Sequence, residues 1–167
     1  MTSLLKTVIT SGTGTRLNSA GTPVAGKTGT VNMTGGGNRD AWMSAYTADL
    51  STTVWMGYDE PDESHRLPNS VSGGTNPASL ARAFLKAWYS GKSKPSFSKP
   101  SGIVSVTLDK KAIERRGEPM LATSLTPDAY KITEVFREGT QPTKKSDVWT
   151  APASARSFYV THDESGQ

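Results

Sequence analysis

The run Lys27-Thr28-Gly29-Thr30-Val31, with Gly35-Gly36-Gly37 arriving within six positions of Val31, most constrains what this chain can fold into. A glycine costs about 1 kcal/mol in a helix interior. β-Branched Thr and Val favour a pleated strand. The segment after Lys27 is therefore predicted to be a strand that ends in a glycine turn. This decides between two chemistries, because Gly21 to Thr28 also fits G-x-x-x-x-G-K-[ST], the phosphate-cradling loop. That loop needs a strand before it and a helix directly after it, whose N–H groups hold the phosphates. Gly12 to Ala20 is polar and shows no strand, and Pro23 removes a backbone N–H from the cradle. Asp59 imitates a second acidic nucleotide motif, but Gly57 and the hairpin pattern before it speak against that. Nucleotide binding is set aside.

Composition narrows the rest. The 167 residues give room for one domain plus an appendage. Hydrophobic residues make up 34%, beside 16 Gly and 10 Pro, which predicts a folded part and a poorly ordered part. The net charge of +4 is scattered, with no run of five Lys/Arg, which argues against a nucleic-acid arm. The absence of cysteine removes disulfides, thiolate catalysis and cysteine-ligated zinc together. No metal or cofactor motif is found. No apolar stretch approaches the ~18 residues that span a bilayer, so no membrane contact is expected from this chain. Met1 to Lys6 lacks the charged leader of a signal peptide.

Residues 1–10 place Met1, Leu4, Leu5, Val8 and Ile9 on one helix face, with Gly12 expected as a left-handed cap. The apolar period starts at residue 1 with no capping residue ahead, as if the chain were a piece of something longer. Val24–Val31, Ala41–Thr47 and Thr52–Tyr58 read as strands. Asn32–Asp40 reads as a flexible connection, Ala48–Ser51 as a hairpin turn. Asn76 is expected to cap a helix with Pro77 in its first turn and Gly91 at its close. Leu80, Phe84 and Trp88, beside Ala81 and Leu85, form a wide apolar stripe expected to pack on the sheet. The predicted class is α+β, an antiparallel sheet of at least three strands with both helices on one face. Three regions follow: 1–91 as the main domain, 92–143 as an appendage with one or more strands, one of them over Ile103–Asp109, and 144–167 as a loosely ordered tail.

A Lys-Thr-Gly-Thr strand has a chemical logic of its own. Alternation puts Lys27 and Gly29 on one face, Thr28 and Thr30 on the other. A strand edge can pair with an extended peptide. Glycine lets that peptide approach closely, lysine supplies fixed positive charge, and hydroxyls can bind a carboxylate. The N–H after the glycine can point into an oxyanion hole. Taken alone, the triplet fits a plain surface strand as well.

Its context is more specific. "GTGTRL", "PVAGKTGTVN", "NRDAWMSAYTADLSTTVWMGYDE", "GGTNPASLARAFL", "FSKPSGIVSVTLDK" and "EVFREGTQPT" follow in one order. Together they resemble the C-terminal half of the transpeptidase domain of class A penicillin-binding proteins, over most of Met1 to Thr143 and not beyond. The resemblance implies a serine acyltransferase that attacks the D-Ala–D-Ala bond of a peptidoglycan stem peptide, cross-links it to a neighbouring amine, and is acylated by β-lactams. It implies that Lys27 serves the proton relay and holds charge near the carboxylate. Thr28 and Thr30 hydroxyls would bind that carboxylate, Gly29 would allow close approach, and the Thr30 N–H would be an oxyanion donor. Trp42, Tyr46, Trp55 and Tyr58 would be core residues of the sheet. The parent protein would be anchored on the extracytoplasmic face of a bacterial cell membrane, with a glycosyltransferase domain upstream.

The family also uses S-x-x-K, bearing the nucleophile, and S-x-N. No S-x-N occurs in this chain. S-x-x-K occurs as Ser3–Lys6 and Ser96–Lys99. The first aligns with the helix before the G-T-G turn rather than with the nucleophile helix, and the second lies in a Pro-containing linker. His65 and His162 fall in loop and tail, which leaves a Ser-His-Asp triad unsupported. The expectation is a segment without the acylating serine, whose partner is the N-terminal half of the same transpeptidase domain. The alternative is a non-catalytic cell-wall peptide-binding module.

Overall fold

The segment after Lys27 is a strand. In the computed structural model, which describes residues 1–150, β1 runs Ala25–Asn32, β2 Asn38–Tyr46 and β3 Ser51–Gly57. They form an antiparallel sheet in the order β1-β2-β3, with Lys27 opposite Ser44, Gly29 opposite Trp42, and Trp42 opposite Trp55. The glycine run between β1 and β2 was expected to be a flexible connection, but it makes a specific turn. Gly35, Gly36 and Gly37 all have φ between +78° and +95°, a conformation side chains disfavour. Arg66 braces the turn by donating to the Gly35 and Gly36 carbonyls at 3.1 and 2.8 Å.

Two helices cover one face of the sheet, α1 over Thr2–Thr10 and α2 over Asn76–Trp88. Ile9, Leu17, Met43, Ala45, Ala81 and Leu85 make the core between them. Gly12 is not the left-handed cap expected of it: Ser11 ends α1 with negative φ. Gly12 is needed for space, since a Cβ there would lie 2.8 Å from the Val8 Cα. The cap of α2 is Thr75 rather than Asn76. The Thr75 hydroxyl is occupied by the preceding turn, accepting from the Ser72 N–H at 2.8 Å.

The apolar stripe of α2 divides differently from its sequence reading. Pro77, Ala78, Ala81 and Leu85 are buried, while Leu80, Phe84 and Trp88 remain 54%, 43% and 44% exposed. Small residues let the helix lie close to Met43 and Ala45, so the close contact centres on the alanines. The larger side chains form the flank. Phe84 stacks on Trp88, and the Lys92 ammonium lies 3.7 Å from the Trp88 ring centroid. At the helix end, Tyr89 is buried and donates to Asp49, while Thr47 bonds Tyr89 at 2.7 Å, fixing the β2–β3 turn.

The second unit begins at Lys99. β4 spans Ile103–Asp109, as its alternation predicts, and pairs antiparallel with β5, Lys131–Arg137. Between them a short helix, α3, covers Lys110–Arg116. α3 was not expected, and β5, though allowed for by the expectation of one or more strands here, was not located. Seven residues are too few to show a helical period, and Glu134 interrupts the apolar alternation of β5. Asp109 is fully buried and ends β4 while capping α3, accepting from the Lys111 and Ala112 N–H groups at 2.9 and 3.3 Å. Thr126, Ser146 and Trp149 also donate to it. Residues 144–149 are thus tied into the unit, with Lys145 bridging to Leu121. The remainder of the tail, including His162, lies outside the described residues.

Candidate functional site

β1 is the edge strand of its sheet among the described residues, and the four predicted site residues sit along it. Their alternation is as the sequence reading gives it. Thr28 and Thr30 oppose Met43 and Ala41, on the helix-covered face; Lys27 and Gly29 oppose Ser44 and Trp42, on the open face. Lys27 is exposed, and its Nζ donates to the Thr28 carbonyl at 2.8 Å.

Both threonine hydroxyls are held by segments far away in sequence. Thr28 Oγ1 and Thr13 Oγ1 are 2.7 Å apart. Thr30 Oγ1 accepts from the Gly73 N–H at 3.1 Å. Gly73 presses against β1 and β2 so closely that a Cβ there would lie 2.1 Å from the Trp42 carbonyl oxygen and 2.6 Å from that of Gly29. A Cβ on Gly74 would lie 2.3 Å from the Thr13 carbonyl oxygen. The turn at Thr13, the strand, and the Gly73-Gly74 loop therefore meet at one place. The arrangement sets the Thr28 and Thr30 hydroxyls on one face, each held from a different segment, two groups that can donate to an anion. Thr13, Gly73 and Gly74 carried no individual role in the sequence reading. Their signal was there, since they lie in the quoted "GTGTRL" and "GGTNPASLARAFL", but their meeting with Thr28 and Thr30 depends on the fold.

Other candidates lie elsewhere. Ser3 sits on α1, and no side-chain bond joins it to Lys6 among the described residues. Ser96 is exposed in a segment without regular structure. His65 is exposed and pairs with Asp62. Lys27 is followed by strand and turn, so no helix caps a phosphate there. The aromatic residues expected in the core are a correction: Trp42, Trp55 and Tyr58 are 41%, 40% and 42% exposed. Trp42 and Trp55 point away from α1 and α2, and their rings lie 6.0 Å apart on the open face. Tyr46 is half-buried, with Phe97 edge-on to it.

The family model for the penicillin-binding protein transpeptidase domain matches residues 1–86, which include every residue of this cluster. The chain belongs to the penicillin-binding protein transpeptidase family. A second model, the C-terminal domain of penicillin-binding protein 1A, matches residues 99–151. The family likeness thus runs past Thr143, where the sequence reading ended it. Penicillin-binding protein 1A/1B of Bacillus subtilis is 30% identical over 159 residues, covering 89% of this chain and 17% of that protein. Penicillin-binding protein 1A of Pseudomonas aeruginosa is 37% identical over 110 residues, covering 65% and 12%. The crystal structure of penicillin-binding protein 1A from Haemophilus influenzae matches with a TM-score of 0.63 at 27% identity, over 87% of this chain and 20% of that one. This penicillin-binding protein sequence therefore spans a small part of the length of its relatives. Among its described residues no helix is long and apolar enough to cross a membrane.

Proposed function

We propose that this chain is the part of a peptidoglycan D,D-transpeptidase that presents the K-T-G strand to the stem peptide, while the nucleophilic serine comes from another part of the same protein. The observation that carries the reading is the edge position of β1, with Thr28 and Thr30 side by side on one face and Gly29 between them. An extended acyl-D-Ala-D-Ala peptide, or a β-lactam imitating it, lies along such an edge by β-augmentation. Thr28 and Thr30 hydroxyls bind its terminal carboxylate, and Lys27 supplies positive charge and serves the proton relay. The Thr30 N–H stabilises the oxyanion as the serine oxygen adds to the carbonyl. The acyl group then passes to the amine of a neighbouring stem peptide.

The bare sheet face bearing Trp42 and Trp55 supports a partner, which we assign to the N-terminal half of the transpeptidase domain. The parent protein then carries an upstream glycosyltransferase domain and a membrane anchor and works on the extracytoplasmic face of the membrane. Labelling with a fluorescent penicillin tests the reading. The parent protein is expected to be labelled on a serine outside these 167 residues, and this chain alone to stay unlabelled. A covalent label mapped to Ser3, Ser96 or any other serine of this chain would overturn it.

A further inference from the structure

The two threonines of the strand differ from ordinary surface hydroxyls in what holds them. A threonine oxygen has one proton to donate and two lone pairs. The Gly73 N–H donates to Thr30 Oγ1 at 3.1 Å, which occupies a lone pair and leaves the Thr30 proton for another acceptor. That N–H is a backbone group pinned by close approach: the Gly73 position, tight against Gly29 and Trp42, tolerates no Cβ. It can only donate, so its bond to Thr30 has one direction.

Thr28 is held by Thr13, hydroxyl to hydroxyl at 2.7 Å, and this bond can run either way. If Thr28 donates to Thr13, its proton is spent. If Thr13 donates to Thr28, the Thr28 proton is released, and the oxygen that carries it is polarised by the donor behind it. A carboxylate placed beside Thr28 and Thr30 accepts but cannot donate, so its arrival selects the second direction. Thr13 is itself positioned from behind, since its carbonyl lies against Gly74.

We infer that Thr13 is a positioning residue for carboxylate recognition: its hydroxyl donates to Thr28 and turns Thr28 into a donor, as the Gly73 N–H does for Thr30. The inference rests on the carboxylate-binding role proposed above. It adds a second layer of two donors, one side chain and one backbone, from the turn before β1 and the loop before α2.

The test uses the full-length protein that contains this chain and two probes, a penicillin with its free carboxylate and the methyl ester of the same penicillin. The variants are Thr13→Val, which keeps the shape and removes the hydroxyl, Thr13→Ser, which keeps the hydroxyl, and Thr13→Ala should the valine variant fail to fold. Thr13→Val is expected to lower the second-order acylation rate by the free acid about tenfold, leave the rate with the ester unchanged, and be rescued by Thr13→Ser. Equal losses with acid and ester, or no loss with either, would overturn the inference. If the wild-type protein does not distinguish acid from ester, the carboxylate role of Thr28 and Thr30 falls first, and the role of Thr13 with it.

Discussion

Trp149 donates its indole N–H to the carboxylate of Asp109 at 2.6 Å, joining residues 40 positions apart around one fully buried charge. Burial alone pushes the Asp109 pKa up and is its largest single influence. Hydrogen bonds from Ser146, Trp149, the Ala112 N–H and Thr126 together outweigh it and hold the carboxyl below its ordinary value.

That direction fixes a pH dependence. Because the folded pKa is depressed, the stabilisation is fully present above the unfolded carboxyl value of about 3.9 and is lost as pH falls through the lower folded value. Asp109→Ala also leaves several buried donors without an acceptor, at about 1–3 kcal/mol each. The variant is expected to lose the Trp149 fluorescence signature of the folded unit at neutral pH. The wild type should lose it only in acid, and a wild-type transition near neutrality would contradict this account.

The division of the α2 stripe predicts opposite outcomes for neighbouring leucines. Leu85→Ala opens the core and is expected to cost about 2–5 kcal/mol. Leu80→Ala removes an exposed side chain, and its effect in this chain should stay within about 0.5 kcal/mol. Urea denaturation of the two variants separates them, and similar losses would mean that α2 is rotated.

Trp42 and Trp55 on the open sheet face are 41% and 40% exposed, and Phe84 and Trp88 on the flank of α2 are 43% and 44% exposed, clustered apolar surface of the kind that marks an interaction site. The isolated chain is expected to bind the dye ANS and to self-associate. Co-expression with the upstream half of the domain should suppress both. A monomeric chain with a sharp thermal transition and no dye binding would count against a missing partner.

Gly73→Ala places a Cβ where the Trp42 and Gly29 carbonyl oxygens already are, at 2.1 and 2.6 Å. The loop must retreat, taking its N–H from Thr30. Penicillin acylation of the parent protein is expected to fall by about tenfold or more, with near-native far-UV circular dichroism. Unchanged acylation would show that the loop does not support the strand.

Much of the fold was legible because it rests on local chemistry. Lys27-Thr28-Gly29-Thr30-Val31 cannot be a good helix, and Ala41–Tyr58 carries the alternation and turn of a hairpin. β5 and α3 were hidden because one is interrupted by Glu134 and the other is too short to show a period. The exposed flank of α2 was hidden for a different reason. Leu80, Phe84 and Trp88 form as good an apolar stripe as Ala81 and Leu85, and periodicity cannot say which part of a wide stripe meets the sheet.

The sequence by itself determined the family, the strand that bears Lys27, and the alternation that sets Thr28 and Thr30 apart from Lys27 and Gly29, since a strand's period of two follows from the backbone alone. Only the tertiary structure decided what stands behind those threonines. Thr13 and Gly73 lie 15 and 43 residues from the hydroxyls they bond. No local rule connects residues so far apart, and their meeting is set by helices and loops packing on one face of the sheet.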